Sequence, residues 1–231
     1  MMSVRRAWRV TVLNAHMWRN MAAPSLVGNV AEPLLYLLVL GYGMGEMIDD
    51  DALPEGVSYR FFYGSGLIMS VAMFAASFEN LFGAFTRMMG QRTYEAIIAT
   101  PITLAEVLWG DTLFAAIKGV VAGTFVPVVL VALGEPVSPM LFLGLPALGL
   151  TALVFAAVAL LVMSYSPDYA WFNFYMTLVL APLFLFSGIF FPIEQFGDLT
   201  WLAQLSPLAM GVEVVRPLAL GQWPELTPVV S

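Results

Sequence analysis

Five apolar stretches, each close to the length that crosses a lipid bilayer, dominate this sequence. A transmembrane helix needs about 20 predominantly apolar residues. Of the 231 residues, 60% are hydrophobic and only 11% are charged, whereas the surface of a soluble globule usually needs about a quarter charged residues. The sequence therefore predicts an all-α integral membrane protein, organised as a single membrane domain over residues 1–231. Its five transmembrane helices are predicted at residues 26–45, 60–82, 113–133, 140–163 and 170–191.

The segment before the first stretch predicts a helix that lies along the membrane surface. Residues 3–20 place Val4, Trp8 and Trp18 on a helical spacing, and four arginines surround them. Tryptophan and arginine on an amphipathic helix are typical of the membrane interface. The loop at residues 46–55 carries acidic side chains and no Lys or Arg. By the positive-inside rule, the amino terminus is expected in the cytoplasm.

The loop at residues 83–110 is the only long polar interruption between two apolar stretches that also carries basic residues. Its sequence TYEAIIATP, residues 93–101, predicts a helix of about two turns, capped by Thr93 and stopped by Pro101. Ile97 and Ile98 are expected to face the membrane domain. Such a short helix is unstable alone in water, so the surrounding protein must hold it. The alternative is an ordinary loop helix with no role beyond connection.

The pattern changes after the fifth stretch, where apolar and polar residues alternate over residues 192–220. These segments are too short and too polar to span, so they are predicted to be half-helices that enter the outer leaflet. The second of them is expected at about residues 208–220, ending at Gly221. The remaining residues do not form a span, which places the carboxyl end outside unless the natural chain continues.

Three of the ionisable residues within or beside the predicted spans are candidates, namely Glu32, Glu79 and Lys118. Charged groups in a membrane are costly and are therefore candidates for function. Glu32 is interpreted as an interhelical contact or as a residue lining a path. Glu79 is expected to pair with Arg87 or Lys118, as a structural ion pair or a proton relay. Lys118 is within reach of the inner interface.

Several classes of function are disfavoured by the composition. The chain has no Cys and one His, His16, so no histidine or thiolate cluster for a metal is expected. It lacks the G-x-x-x-x-G-K-[ST] phosphate loop, so it is not expected to hydrolyse nucleotide or to be an enzyme. No cofactor is expected on this chain. The net charge of −7 argues against a nucleic-acid partner.

Four stretches in order resemble the ABC-2 type exporter permeases. They are NVAEPLLY with GYGMG (29–36 and 41–45), TYEAIIATP (93–101), SGIFFP (187–192), and LSPL with VVRPL (205–208 and 214–218). The likeness covers nearly the whole chain. Within that family the chain resembles the permeases of nodulation lipooligosaccharide export.

This resemblance implies a permease subunit of the bacterial inner membrane, which forms a dimer with a second permease copy. A separate ATP-binding subunit would supply ATP and Mg²⁺, and the exported substrate would be an amphiphilic glycan such as a lipooligosaccharide. A drug or polysaccharide exporter of the same architecture is the alternative, and an ATP-independent carrier is the alternative from another class. The family also has a sixth span, so the chain is expected to be truncated before it.

The resemblance further assigns two candidate sites. The helix after the second span is the coupling helix of the family, which here corresponds to Arg92, Thr93, Tyr94, Glu95, Ala96, Thr100 and Pro101. The half-helices after the fifth span form the outer gate of the family. On this chain the gate would include Phe191, Pro192, Glu194, Pro207 and Arg216.

Overall fold

The computed structural model describes residues 3–43, 57–193, 197, 200–201 and 205–224, and nine α-helices lie within them. The nine are α1 (Val4–Arg19), α2 (Ala22–Gly43), α3 (Tyr59–Phe78), α4 (Thr93–Ile98), α5 (Leu104–Ala132), α6 (Leu145–Tyr165), α7 (Phe172–Tyr175), α8 (Ala181–Leu185) and α9 (Pro207–Leu220). Short π-helical turns extend α3 (Glu79–Ala84 and Thr86–Gly90) and join α7 to α8 (Met176–Leu180). Two 3-10 turns, Pro139–Gly144 and Tyr169–Trp171, precede α6 and α7.

Three helical stretches in the described part of the chain are long and apolar enough to cross a membrane: Tyr59–Gly90, Leu104–Ala132 and Pro139–Tyr165. They contain the second and fourth predicted spans and all but the last residue of the third, which confirms the helical character and apolar length of these segments. The first predicted span corresponds to the 22-residue α2, and the fifth to the shorter apolar stretch Tyr169–Leu185. Membrane crossing by these two segments stays a prediction.

Three helix ends differ from the ends of the predicted spans. The second helical stretch continues beyond residue 82 to Gly90 through π-helical turns. The third begins at Leu104, not at residue 113, because Thr103 and Glu106 form a reciprocal capping box there. The fifth ends at Leu185 instead of residue 191, shortly before Gly188 adopts a positive φ of 73° that a helix cannot accommodate.

Helix α3 is the centre of the bundle, because nearly all of its side chains are buried between α2, α5, α6 and α9. Two glycines on α5 allow this helix to pack close to the backbone of α3. A Cβ atom at Gly119 would lie 2.7 Å from the carbonyl oxygen of Ala72, and one at Gly123 would lie 2.8 Å from that of Ile68. Small residues at such crossings let two membrane helices pack backbone to backbone.

Helix α1 packs along the first turns of α5. Ala7 and Val10 are buried, and a Cβ atom at Gly110 would collide with Val10. The hydroxyl of Thr11 donates a hydrogen bond of 3.0 Å to the Gly110 carbonyl. Of the apolar residues whose spacing predicted the helix, Val4 and Trp8 face away from the protein and are 75% and 53% exposed, whereas Trp18 packs edge-on against Phe114 of α5. The helix therefore has a second face, against α5, that the sequence pattern did not reveal.

Candidate functional site

Helix α4 is held against the membrane domain by one buried aromatic side chain. Tyr94 is only 5% exposed and packs with Val10 and Val107. Ile97 packs against the same cluster, as predicted, whereas the expectation for Ile98 was wrong, because it is 44% exposed. The side chain that turns inward beside Ile97 is thus Tyr94, three residues earlier on the helix.

The start of α4 differs from the prediction. Arg92 occupies the N-cap position in the left-handed conformation, with a φ of 50°, and no side chain caps the helix. Thr93 is therefore the first helical residue, and its hydroxyl has a long contact of 3.4 Å with Gln91 instead. The helix ends at Ile98, before Pro101, as expected. The Pro101 carbonyl accepts a 2.7 Å hydrogen bond from Arg6 of α1.

The outward side of this segment is open. Five of the residues assigned to the coupling helix are exposed, namely Arg92, Glu95, Ala96, Thr100 and Pro101, and Ile98 and Ala99 are exposed beside them. The hydroxyl of Thr100 donates to the carbonyl of Ile97 at 2.6 Å and so closes the last turn. The segment therefore presents a small surface with one acidic and one basic side chain. Tyr94, on its buried side, attaches it to the rest of the protein.

Tyr94 is hydrogen-bonded to a buried network of charged groups. Its hydroxyl donates a short hydrogen bond to one carboxylate oxygen of Asp111, on α5. The other oxygen of Asp111 accepts from the amide of Asn14, on α1, and from Arg87 Nη2 at 3.0 Å. Burial beside the Asp111 carboxylate raises the pKa of Tyr94, so the phenol keeps its proton and acts as the donor.

The network continues from Arg87 into the helices of the bundle. Arg87 Nη1 donates to Glu79 Oε1 at 2.8 Å, and Lys118 Nζ donates to Glu79 Oε2 at 2.8 Å. Both pairings that the sequence offered for Glu79 are thus present together. Lys118 is only 7% exposed, because its amino group bonds Glu79 instead of extending to the surface. The π-helical turns that follow α3 carry both Glu79 and Arg87, and such turns often occur at functional sites.

Sequence reasoning missed Asp111 and Asn14, which connect α4 and α1 to this network. One signal for Asp111 was available. Asp111 and Lys118 lie seven residues apart on one helix, which places them two turns apart on the same face. Two ionisable residues on one face of an apolar helix indicate a shared polar site. The third intramembrane candidate, Glu32, lies on α2, and its side chain is outside the described residues.

The residues predicted for the outer gate include Arg216 of α9, which has the most contacts among those that the structure describes. Its guanidinium donates to the carbonyl of Gly188 at 2.7 Å, and its carbon Cζ lies 3.7 Å from the centre of the Phe62 ring on α3. It also contacts the Ser65 hydroxyl at 3.3 Å. Arg216 thereby joins α9, α3 and the loop after α8.

The other predicted gate residues are less connected. Phe191 is 40% exposed, and Pro192 is half-buried. Pro207 is the first residue of α9, which ends at Leu220 before Gly221 with a φ of 79° and so confirms the bounds predicted for the second short helix. Glu194 lies outside the described residues.

The class of protein follows from the helical bundle and from a comparison with known families. The chain belongs to the ABC-2 type transporter family, whose model matches residues 7–220. It is therefore a multi-pass membrane permease of a bacterial transporter family. Such permeases bind no cofactor, and the ATPase activity resides in the ATP-binding subunit with which they pair.

The individual relatives agree with this assignment. The chain is 40% identical over 205 residues to nodulation protein J of Rhizobium meliloti (strain 1021), a match that covers 88% of this chain and 77% of the relative. It is 37% identical over 204 residues to nodulation protein J of Azorhizobium caulinodans, covering 88% of this chain and 79% of the relative. No solved structure matches the chain.

Proposed function

We propose that this chain is the permease subunit of an exporter that moves an amphiphilic glycan, such as a lipooligosaccharide, out of the cell. The relatives named for nodulation and the resemblance to lipooligosaccharide permeases support this substrate class. Two copies of the chain would form the translocation path as a homodimer in the inner membrane. The whole chain would act as one membrane domain with its amino terminus in the cytoplasm.

The coupling role of α4 rests on one observation: its outward face is open while Tyr94 connects its inward face to the ion-pair network. An ATP-binding subunit would dock on the exposed segment around Glu95. When ATP closes that subunit, α4 would be displaced. The displacement would reach α5 through Asp111 and the α3 extension through Arg87, and the bundle would then change between inward-open and outward-open states.

The outer gate would consist of α9 and the loop after α8. Arg216 holds these two segments to α3 through the Gly188 carbonyl and the Phe62 ring. Opening of the gate would require these contacts to be exchanged, since α9 cannot move away from α3 while they persist. Phe191, Pro192, Glu194 and Pro207 would move with it.

The test of coupling is co-purification with the ATP-binding subunit encoded beside this chain, followed by export and ATPase assays. Glu95→Lys reverses a charge on an exposed position and should abolish docking and export without affecting membrane insertion. Glu95→Gln is the matched control, because it keeps the size of the side chain and should retain part of the activity. Full export by the lysine variant would disprove the docking role of α4.

Substrate class is tested separately, in inverted vesicles that contain the whole transporter. Uptake of a radiolabelled lipooligosaccharide that depends on ATP and on an intact α4 would support the proposal. Equal uptake of an acyl-free oligosaccharide would favour the polysaccharide alternative, and uptake of a hydrophobic drug alone would favour the drug alternative. Uptake without any ATP-binding subunit would favour a carrier.

A further inference from the structure

A cavity of about 700 Å³ lies beside the ion-pair network, between α1, the start of α2, the π-helical extension of α3, and α5. Glu79, Arg87 and Lys118 form part of its wall. The cavity lies at the end of the bundle where α1 joins α2 and where the α3 extension ends. With the amino terminus in the cytoplasm, as proposed above, this is the cytoplasmic end of the bundle.

The charges on this wall balance. Lys118 and Arg87 both bond to Glu79, and Arg87 also bonds to Asp111, so two cations face two carboxylates. Because the cluster has no net positive charge, a phosphate or sulfate would gain little net attraction there to offset the loss of its hydration. The wall therefore favours a neutral ligand that can both donate and accept hydrogen bonds.

Hydrogen-bonding capacity remains free at this wall. Lys118 has three donor hydrogens, and one of them is engaged with Glu79. The Nε atom of Arg87 and the indole Nε1 of Trp18 have no hydrogen-bond partner among the described residues. Both of these atoms are buried, so a ligand hydroxyl in the cavity would accept instead from the remaining hydrogens of the Lys118 ammonium group.

Aromatic and sulfur-containing side chains complete the cavity. The ring of Trp18 lies 5.9 Å from Lys118 Nζ, and Phe82, 36% exposed, lines the same space. The remaining apolar lining residues are Met17, Met21, Phe78, Phe114 and Met176. A sugar ring has hydroxyl groups around its edge and apolar C–H groups on its faces. It is thus matched by a wall that combines paired charges with aromatic rings.

We infer that this cavity receives the sugar headgroup of the amphiphile on the cytoplasmic side, before export. Glu79 and Lys118 bond the hydroxyl groups of the sugar, and Trp18 and Phe82 pack on its ring. The same Glu79 is connected through Arg87 and Asp111 to Tyr94, so the occupied cavity and the α4 helix share one network. This inference rests on the proposed function, because it identifies where that substrate binds.

The test is photolabelling of the full-length chain in phosphatidylcholine nanodiscs. The probe is dodecyl maltoside carrying a diazirine on its terminal sugar. Labelling should map to peptides that contain Trp18 and Phe82. Excess unmodified dodecyl maltoside should reduce it at least fivefold, whereas dodecyl phosphate, with the same chain and an anionic head, should not. Equal competition by dodecyl phosphate would overturn the assignment of a neutral sugar site.

Two variants alter the cavity from different walls. Phe82→Ala removes a ring, and Ser25→Phe adds bulk from α2. Each should lower labelling at least fivefold. Phe142→Ala is the matched control, since Phe142 is 73% exposed and lines a separate apolar cavity, and it should label normally. Labelling that is spread over lipid-exposed faces, or that neither cavity variant changes, would overturn the inference.

The labelling experiment is independent of ATPase docking. Loss of co-purification with the ATP-binding subunit would therefore refute the coupling proposal while leaving the labelling result intact. Conversely, a transporter whose export depends on α4 but whose label lies elsewhere would refute only the headgroup site.

Discussion

The hydroxyl of Tyr94, on the six-residue helix α4, donates a hydrogen bond to the carboxylate of Asp111 at the beginning of the long helix α5. A helix this short gains little stability from its own hydrogen bonds. Its position is therefore set by tertiary contacts. Because a hydrogen bond is directional, this buried bond also fixes the orientation of α4 relative to α5. In the proposed mechanism, a force on the exposed face of α4 would be passed to α5 through this bond and to the extension of α3 through Arg87.

Tyr94→Phe should separate the hydrogen bond from the packing of the ring. The variant keeps the aromatic contacts with Val10 and Val107 but leaves an acceptor position of Asp111 unfilled, which costs about 1–3 kcal/mol for a buried group. We expect normal insertion, a lower unfolding temperature and weakened coupling between ATP hydrolysis and export. Tyr94→Ala removes the ring as well and should abolish export. If Tyr94→Phe exports with wild-type coupling, the hydrogen bond does not transmit the movement.

Glu79 should be more important for stability than Lys118. Glu79→Gln removes the charge that both Arg87 and Lys118 contact, and breaking a buried pair in this way costs about 3–5 kcal/mol. Lys118→Met leaves Glu79 paired with Arg87 and should cost less. The double variant should be more stable than Glu79→Gln alone, because it also removes the unpaired cation.

Thermal unfolding of the three proteins in the same detergent measures this order. Strict additivity of the two single effects would mean that Glu79 and Lys118 do not interact, contrary to their 2.8 Å contact.

Gly119→Ala should force α3 and α5 apart. An added Cβ atom would lie 2.7 Å from the carbonyl of Ala72, and overpacking of this kind costs about 1–3 kcal/mol. Gly149→Ala is the matched control on α6, where the nearest atom would be Val120 Cγ2 at 3.9 Å. The control should unfold at the wild-type temperature or slightly above it, since alanine favours helix. Equal unfolding temperatures for the two variants would contradict the close helix crossing.

Arg216→Lys should weaken the attachment of α9 even though it keeps the positive charge. Lysine has no planar guanidinium to lie on the Phe62 ring while donating to Gly188 and Ser65. We expect lower thermal stability and faster proteolysis in the segment after α8. Arg216→Met should have a larger effect. Identical proteolysis of the wild type and both variants would show that Arg216 does not hold the segment after α8.

Much of the helical framework was predictable from local pattern. The second, third and fourth apolar stretches and the helix that ends at Leu220 follow from apolar length, proline and glycine, which act over a few residues. The ends of the helices were less predictable. Whether a helix stops at residue 82 or continues to Gly90 depends on tertiary contacts, since Glu79 and Arg87 bond each other and also bond Lys118 and Asp111 of α5.

The sequence by itself determined the class of protein, the presence of a short helix before Pro101 and the candidate pair of Glu79 with Arg87 or Lys118. Only the tertiary structure decided that Asp111 joins them to Tyr94 and Asn14, because Asn14 lies 97 residues from Asp111 along the chain. It also decided which face of α1 meets α5. Lipid and protein interior are both apolar, so hydropathy alone does not distinguish the face that contacts one from the face that contacts the other.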